Sequence, residues 1–185
     1  QDVMAEDIPS RQPIRQLNDY AISKWVNEQQ IMNSASRSGT ETVRLRLFNS
    51  YGPGEHYSPY RSAVCIFVYR ALHNMPYTVY KEHQRSITYI EDIVNAMANV
   101  VNNFKPSEVY NISGDYAATM KEVSDIILKI LEKDDSLVHY ESVEKHNALN
   151  KIADNTKAKR DLGYRTSVSL EEGLKGTIEW QKKVY

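Results

Sequence analysis

The 185 residues are 41% hydrophobic and 25% charged, the balance of a globular chain with enough material for one domain or a domain and a half. A net charge of −1 gives no electrostatic case for nucleic acid or an anionic membrane. Cys65 is the only cysteine, which excludes an internal disulfide, and the five His are too scattered for a zinc-type cluster. The apolar runs are too short to cross a bilayer and no signal peptide is read, so the chain is expected in the cytoplasm without a bound metal.

Residues 1–17 carry two Pro and no clean periodicity, and are predicted as an extended lead-in. A helix follows over about 20–38. Asn18 or Asp19 can cap it, Ala21, Trp25, Glu28, Met32 and Ala35 track along it, and Gly39 ends it. Val43, Leu45 and Leu47 then alternate with Arg44, Arg46 and Phe48, which predicts a strand over 43–48. Tyr51-Gly52-Pro53-Gly54 is a strong turn signal just beyond its carboxyl end, where open α/β sheets usually bind ligands.

After a polar aromatic loop at 55–60, a helix is expected over 61–74, broken by Pro76. Cys65 reads as a core thiol of that helix. A short strand follows at 77–80, an alternating stretch at 85–90 and a helix over 91–104 with acids in its first turn. Strands are expected at 108–112 and 136–140. Capping boxes at Thr119/Glu122 and Ser169/Glu172 open helices to about 131 and to the C-terminus. A short helix at 154–162 is closed by Gly163. Strands alternating with helices make the class α/β.

Tyr20 and Lys24, in NDYAISK, are four apart and share a helix face. A cation beside a phenol favours phenolate, so such a Tyr can take a proton from a substrate hydroxyl while a hydride leaves the same carbon. The spacing alone is weak, because Tyr77 and Lys81 repeat it inside a predicted strand. There are seven Gly and no G-x-G-x-x-G or P-loop, so no pyrophosphate-cradling helix start lies in these residues.

The motifs NDYAISK, RLFNSYGPG, RSITYIEDI, EVYNISG, DNTKAKRDLGY and SLEEGLKGTIEW follow in this order. Together they resemble the C-terminal half of the NAD-dependent epimerase/dehydratase family, the extended short-chain dehydrogenases acting on nucleotide sugars. The resemblance implies a partial Rossmann-like sheet plus a small substrate-binding lobe. Residues 1–50 and 85–115 would belong to the dinucleotide-binding part, 51–84 and 116–185 to the lobe. It implies NAD or NADP as cofactor, with the pyrophosphate site outside these residues, and a nucleotide-diphosphate sugar as ligand. Tyr20 is then the acid/base acting on the hexose C4 hydroxyl of an epimerase or 4,6-dehydratase, and Lys24 the lysine that holds the nicotinamide ribose. Leu47 and Phe48 lie against the nicotinamide. Asn49 and Arg85 contact the diphosphate, a role the guanidinium fork suits on physical grounds. A homodimer through the helix at 20–38 is expected from the same resemblance.

Other readings stay open. Asn49 can serve the adjoining turn. Arg85 can pair with Glu82 or Glu91, and Asp92 can act as a helix-start partner. Trp25 and Trp180 read as core. The stretch Glu144–Asn147 reads EKHN where the family often places a second phosphate-gripping arginine, leaving Lys145, His146 or Lys151 as substitutes. Without the glycine loop, or the Ser/Thr that usually precedes the tyrosine, these residues by themselves are expected to be inactive. They are read either as part of such an enzyme or as a non-catalytic binding or assembly module. The strand at 43–48 is expected to leave an edge that another chain, or residues 1–17, would cover.

Overall fold

The structure, a computed structural model, describes residues 3–11, 13–103 and 105–185. In chain order the elements are α1 (Ile8–Arg11), α2 (Asp19–Ser38), β1 (Arg44–Leu47), β2 (Ser50–Tyr51), α3 (Ala63–Leu72) and β3 (Tyr77–Tyr80). Next come β4 (Gln84–Ser86), β5 (Thr88–Tyr89), α4 (Ile90–Asn102), β6 (Val109–Ile112), β7 (Ala117–Thr119) and α5 (Met120–Leu131). β8 (Val138–Glu141), β9 (Asn150–Lys151), α6 (Thr156–Leu162) and α7 (Leu170–Val184) complete the chain. Phe104, the expected end of the α4 helix, lies outside the described residues, as do 1, 2 and 12 of the lead-in.

Local chemistry sets the helix ends. Asn18 caps α2 by accepting from the Ala21 amide, and Gly39 closes it at φ 69°. Ala21, Trp25, Glu28 and Ala35 are half-buried along one face, whereas Met32 is exposed. α7 shows both halves of its capping box. α5 shows one half: Thr119 accepts from the Glu122 amide, but the Glu122 carboxylate is taken by the Tyr116 hydroxyl at 2.7 Å. The lead-in is not wholly extended, since α1 interrupts it. Pro9 sits in the first turn of α1, where a missing N–H costs little, and the Ser10 hydroxyl donates to the Asp7 carbonyl at 2.7 Å. β2, β7 and β9 are too short to show periodicity and exist through their partners.

Pairing is mostly parallel. β1 pairs β6, β2 pairs β5 and β3 pairs β8 in parallel, while β4 joins β7 antiparallel and β9 parallel. Two apolar clusters result. One lies among α3, α5, α7 and β3, with Phe67, Val68, Val79, Ile127 and Leu174 inside. The other joins Ile93 and Ala96 of α4, Tyr110 and Ile112 of β6, Leu162 of α6 and Tyr164, with Val43 and Leu45 against it. Each fully buried Ile, Leu or Val contributes about 1.5–3 kcal/mol. α6 packs into this second cluster, against α4 and β6. Cys65 is buried, and desolvation followed by the nearby Glu55 charge pushes its thiol up to about 11. That is an inert core thiol.

The lead-in does fold back, but onto β6. The Asn111 amide donates to Glu6 Oε1 at 2.9 Å and its side chain to the Met4 carbonyl at 2.8 Å. Among the described strands β1 pairs only with β6, and Leu47 is 45% exposed. An unpaired parallel edge beside apolar side chains recruits another strand. Sedimentation at micromolar concentration is expected to show a dimer or larger assembly, and a monodisperse monomer would contradict this.

Arg44 and Arg46 are structural. Both converge on Glu28 of α2: Arg44 Nη1 lies 3.2 Å from Oε1, and Arg46 Nη2 2.6 Å from the same oxygen. The Glu28 carboxylate is 15% exposed, so its loss strands two guanidinium groups beneath α2. Glu28→Ala should cost about 2 kcal/mol by urea unfolding. Glu28→Gln, which keeps one acceptor, should cost less.

Candidate functional site

Asn49, two residues beyond β1, adopts φ 37°, a left-handed conformation that Asn tolerates well. Its side-chain amide donates to the Ser86 carbonyl at 3.0 Å and its own carbonyl accepts from the Thr88 amide at 3.2 Å. The partner is thus the β4–β5 segment, not the adjoining Tyr51–Gly54 turn. Beside Asn49 opens a cavity of about 520 Å3, bounded by α3, β3, β4 and the segment before β9.

The lining is cationic. Arg61, Arg70, Arg85 and Lys151 face one carboxylate, Glu144. Arg85 is only 6% exposed. It does not pair with Glu82 or Glu91: Nη1 donates to the carbonyls of Gln84 at 3.0 Å and Leu149 at 2.7 Å, and Nη2 to Ala148 at 2.8 Å. Nη2 also lies against Nδ1 of buried His83, whose Nε2 accepts from the Glu144 amide at 2.9 Å. Burial, then the Arg85 charge, holds His83 below the usual imidazole range. Lys151 is lowered by the same two causes in the same order.

The structure brings Asn49 and Arg85 together in this cavity. Tyr20 and Lys24 form a separate pair on the first turns of α2, with Tyr20 72% exposed and the Lys24 ammonium 5.4 Å from its ring centroid. Leu47 ends β1 and Phe48 follows it, its carbonyl accepting from the Thr88 hydroxyl at 2.7 Å. None of these four lines the cavity. The second Tyr-x-x-x-Lys is structural, because Tyr77 is buried in β3 with its hydroxyl 2.9 Å from that of Ser124. Asp92, 2% exposed, accepts from the Ser167 amide and hydroxyl at 3.1 and 2.6 Å and so ties α4 to the stretch before α7. Trp25 and Trp180 are half-buried, the latter edge-on to His56.

Of the substitutes for a second phosphate clamp, Lys151 lines the cavity, whereas Lys145 and His146 are exposed outside its lining. Arg61, Arg70 and His83 are lining residues that sequence reading missed. His83 had a signal, since it stands two before Arg85 on the approach to β4. A second cavity, of about 260 Å3, holds Asp92 and Asp115 among hydroxyls and has the wrong sign for a phosphate.

Comparison with known proteins gives the family. The GDP-mannose 4,6 dehydratase family matches residues 3–177. A UDP-N-acetyl-alpha-D-glucosaminuronate decarboxylase of Bacillus cytotoxicus is 30% identical over 172 residues, 89% of this chain and 53% of that protein. The UDP-glucuronic acid 4-epimerase from Bacillus cereus, solved with UDP-glucuronic acid and NAD, superposes with a TM-score of 0.89 at 25% identity, covering 100% of this chain and 58% of that one. The dTDP-glucose 4,6-dehydratase from Streptomyces venezuelae, solved with NAD, gives 0.85 at 27% identity over 99% of this chain and 55% of that one. The chain thus spans about half the length of the relatives it matches. By its motifs, its parallel α/β pairing and these matches, the chain belongs to the GDP-mannose 4,6 dehydratase family, within the NAD-dependent epimerases and dehydratases of nucleotide sugars.

Proposed function

We propose that these residues form the substrate-binding and proton-transfer part of an NAD-dependent nucleotide-sugar epimerase or 4,6-dehydratase. The cation-lined cavity beyond the carboxyl end of β1 carries the reading. A nucleoside diphosphate sugar is anionic, and Arg85 and Asn49 meet on the cavity wall with Lys151, Arg61 and Arg70 around them. Guanidinium donors suit the diphosphate oxygens, and the Asn49 amide supplies a neutral donor at the strand end.

The residues present fit the ribose and ring end of a dinucleotide. Tyr20 and Lys24 offer a hydroxyl and an ammonium on exposed turns of α2, and Leu47 leaves apolar surface open at the end of β1. In this reading Lys24 holds the ribose, while Leu47 and Phe48 bound the ring. When bound, NAD supplies the acceptor for the hydrogen leaving the hexose C4. Tyr20 Oη takes the C4 hydroxyl proton and returns one when the keto carbon is reduced again. We assign residues 1–50 and 85–115 to the dinucleotide-binding part and 51–84 and 116–185 to the lobe. Exposed Ile22 and Val26, one turn apart on α2, support a homodimer through that helix.

The absence of a G-x-G-x-x-G in the 185 residues favours a second reading for them taken alone: they bind the nucleotide sugar without turning it over.

Two measurements test the assignment. Calorimetric titration with UDP should show binding to the cavity, weakened about tenfold or more in Arg85→Gln through loss of charge-assisted bonds. Equal affinity in the variant would remove Arg85 from the site. In the NAD-loaded enzyme, Tyr20→Phe should lower turnover by roughly 10²–10⁴ with little change in substrate affinity. Unchanged turnover would return the Tyr20–Lys24 spacing to chance.

A further inference from the structure

Asn18 stands outside both groups of candidate residues, yet its side chain touches the elements that carry each. Oδ1 accepts from the Ala21 amide at 2.9 Å and fixes the first turn of α2, where Tyr20 sits. Nδ2 donates to the carbonyl of His146 at 3.0 Å. His146 lies between Glu144 and Asn147, which both line the cavity. That segment is held from the cavity side as well. His83 accepts the Glu144 amide at 2.9 Å, and Arg85 donates to the carbonyls of Ala148 and Leu149 at 2.8 and 2.7 Å. The Asn147 side chain donates to the Glu144 carboxylate at 2.8 Å, closing the segment on itself.

We propose that Asn18 is a positioning residue: through the segment 142–149 it couples anion entry into the cavity to the placing of Tyr20. The inference rests on the readings of the cavity and of Tyr20 given above. Each Nη of Arg85 donates to a backbone carbonyl of this segment, Nη1 to Leu149 and Nη2 to Ala148. An anion drawing on the same donors re-aims residues 148–149. Ala148 and His146 are two residues apart, so the shift reaches the Asn18 anchor across two peptide units that are themselves planar and stiff. An amide side chain suits this double duty, because it presents an acceptor and two donors in one planar group. A cap alone does not require it, since Asp and Ser cap a helix about as well as Asn.

That equivalence gives a clean test. Asn18→Asp and Asn18→Ser both keep the cap acceptor and remove the Nδ2 donor, one with a charge and one without. Amide hydrogen exchange is followed on the 185-residue chain with UDP as the probe. In the natural chain, UDP should slow exchange in 142–149 and also, about fivefold, in the first turn of α2 after the cap. Both variants should keep the response of the segment and lose that of α2, at an unchanged thermal midpoint. A wild-type response confined to 142–149, or variants that still protect α2, would overturn the coupling and leave the cavity reading standing. No UDP response in the segment of the natural chain would overturn the cavity reading and the coupling with it.

Discussion

A buried guanidinium must find acceptors, and Arg85 finds them in backbone carbonyls. Removing such a cation from water costs several kcal/mol unless its donors are met. Meeting them brings residues 148–149 within hydrogen-bond reach and sets β9 beside β4, with Arg85 opposite Lys151 in the parallel register. Lys151 thereby enters the same cavity wall. The price of this arrangement is like charge at close quarters, visible in Lys151 and His83, both lowered first by burial and then by Arg85. Both depressions follow from packing these groups into one buried wall.

The cavity also lies where the chain crosses between its two apolar clusters. β1 packs with β6 over the cluster of α4 and α6, whereas β2 pairs β5 beside the cluster of α3, α5 and α7. Two residues, Phe48 and Asn49, separate β1 from β2. The positive φ of Asn49 makes the change of direction, and its amide bond to Ser86 fixes the strand on the far side. Close approach continues beneath: a Cβ on Gly114 would lie 2.0 Å from the Ile87 carbonyl, so only glycine lets the end of β6 pass β4–β5. At this crossing Asn49 and Arg85 both hold backbone carbonyls, those of Ser86 and of Gln84, Ala148 and Leu149.

Much of the fold was legible because its longer elements satisfy local rules. The Asn18 cap, the Gly39 and Gly163 terminators and the alternation around Leu45 each act within a few residues. The strands of two or three residues were not legible, because what defines them is a partner far along the chain. The half-formed box at Thr119 failed for a similar reason, since Tyr116 competes for Glu122 once the chain has turned. Asn49 and Arg85 could be picked out by their motifs. Spacing alone could not separate Tyr20–Lys24 from Tyr77–Lys81; in the structure one pair stands on an exposed helix face and the tyrosine of the other is buried in a strand. Arg70 was hidden differently. It shares a helix face with Ile66 and Phe67, and in sequence that face reads as core.

Arg70 also bears on the missing second arginine. The stretch Glu144–Asn147 brings a carboxylate and an amide to the cavity, so positive charge has to come from elsewhere. It comes from α3 and β9. Arg70, the cation of α3, is held in place, with Nη1 donating to the Pro76 carbonyl at 2.7 Å and Nε to the Tyr57 hydroxyl at 3.3 Å. Tyr57 is itself fixed, stacked on Tyr69 at 3.7 Å between centroids, while its amide donates to the hydroxyl of the C-terminal Tyr185 at 2.8 Å. A guanidinium already held in place loses little rotational freedom when a phosphate arrives. Tyr185 thus acts on the cavity wall without lining it, by holding the tyrosine that orients Arg70.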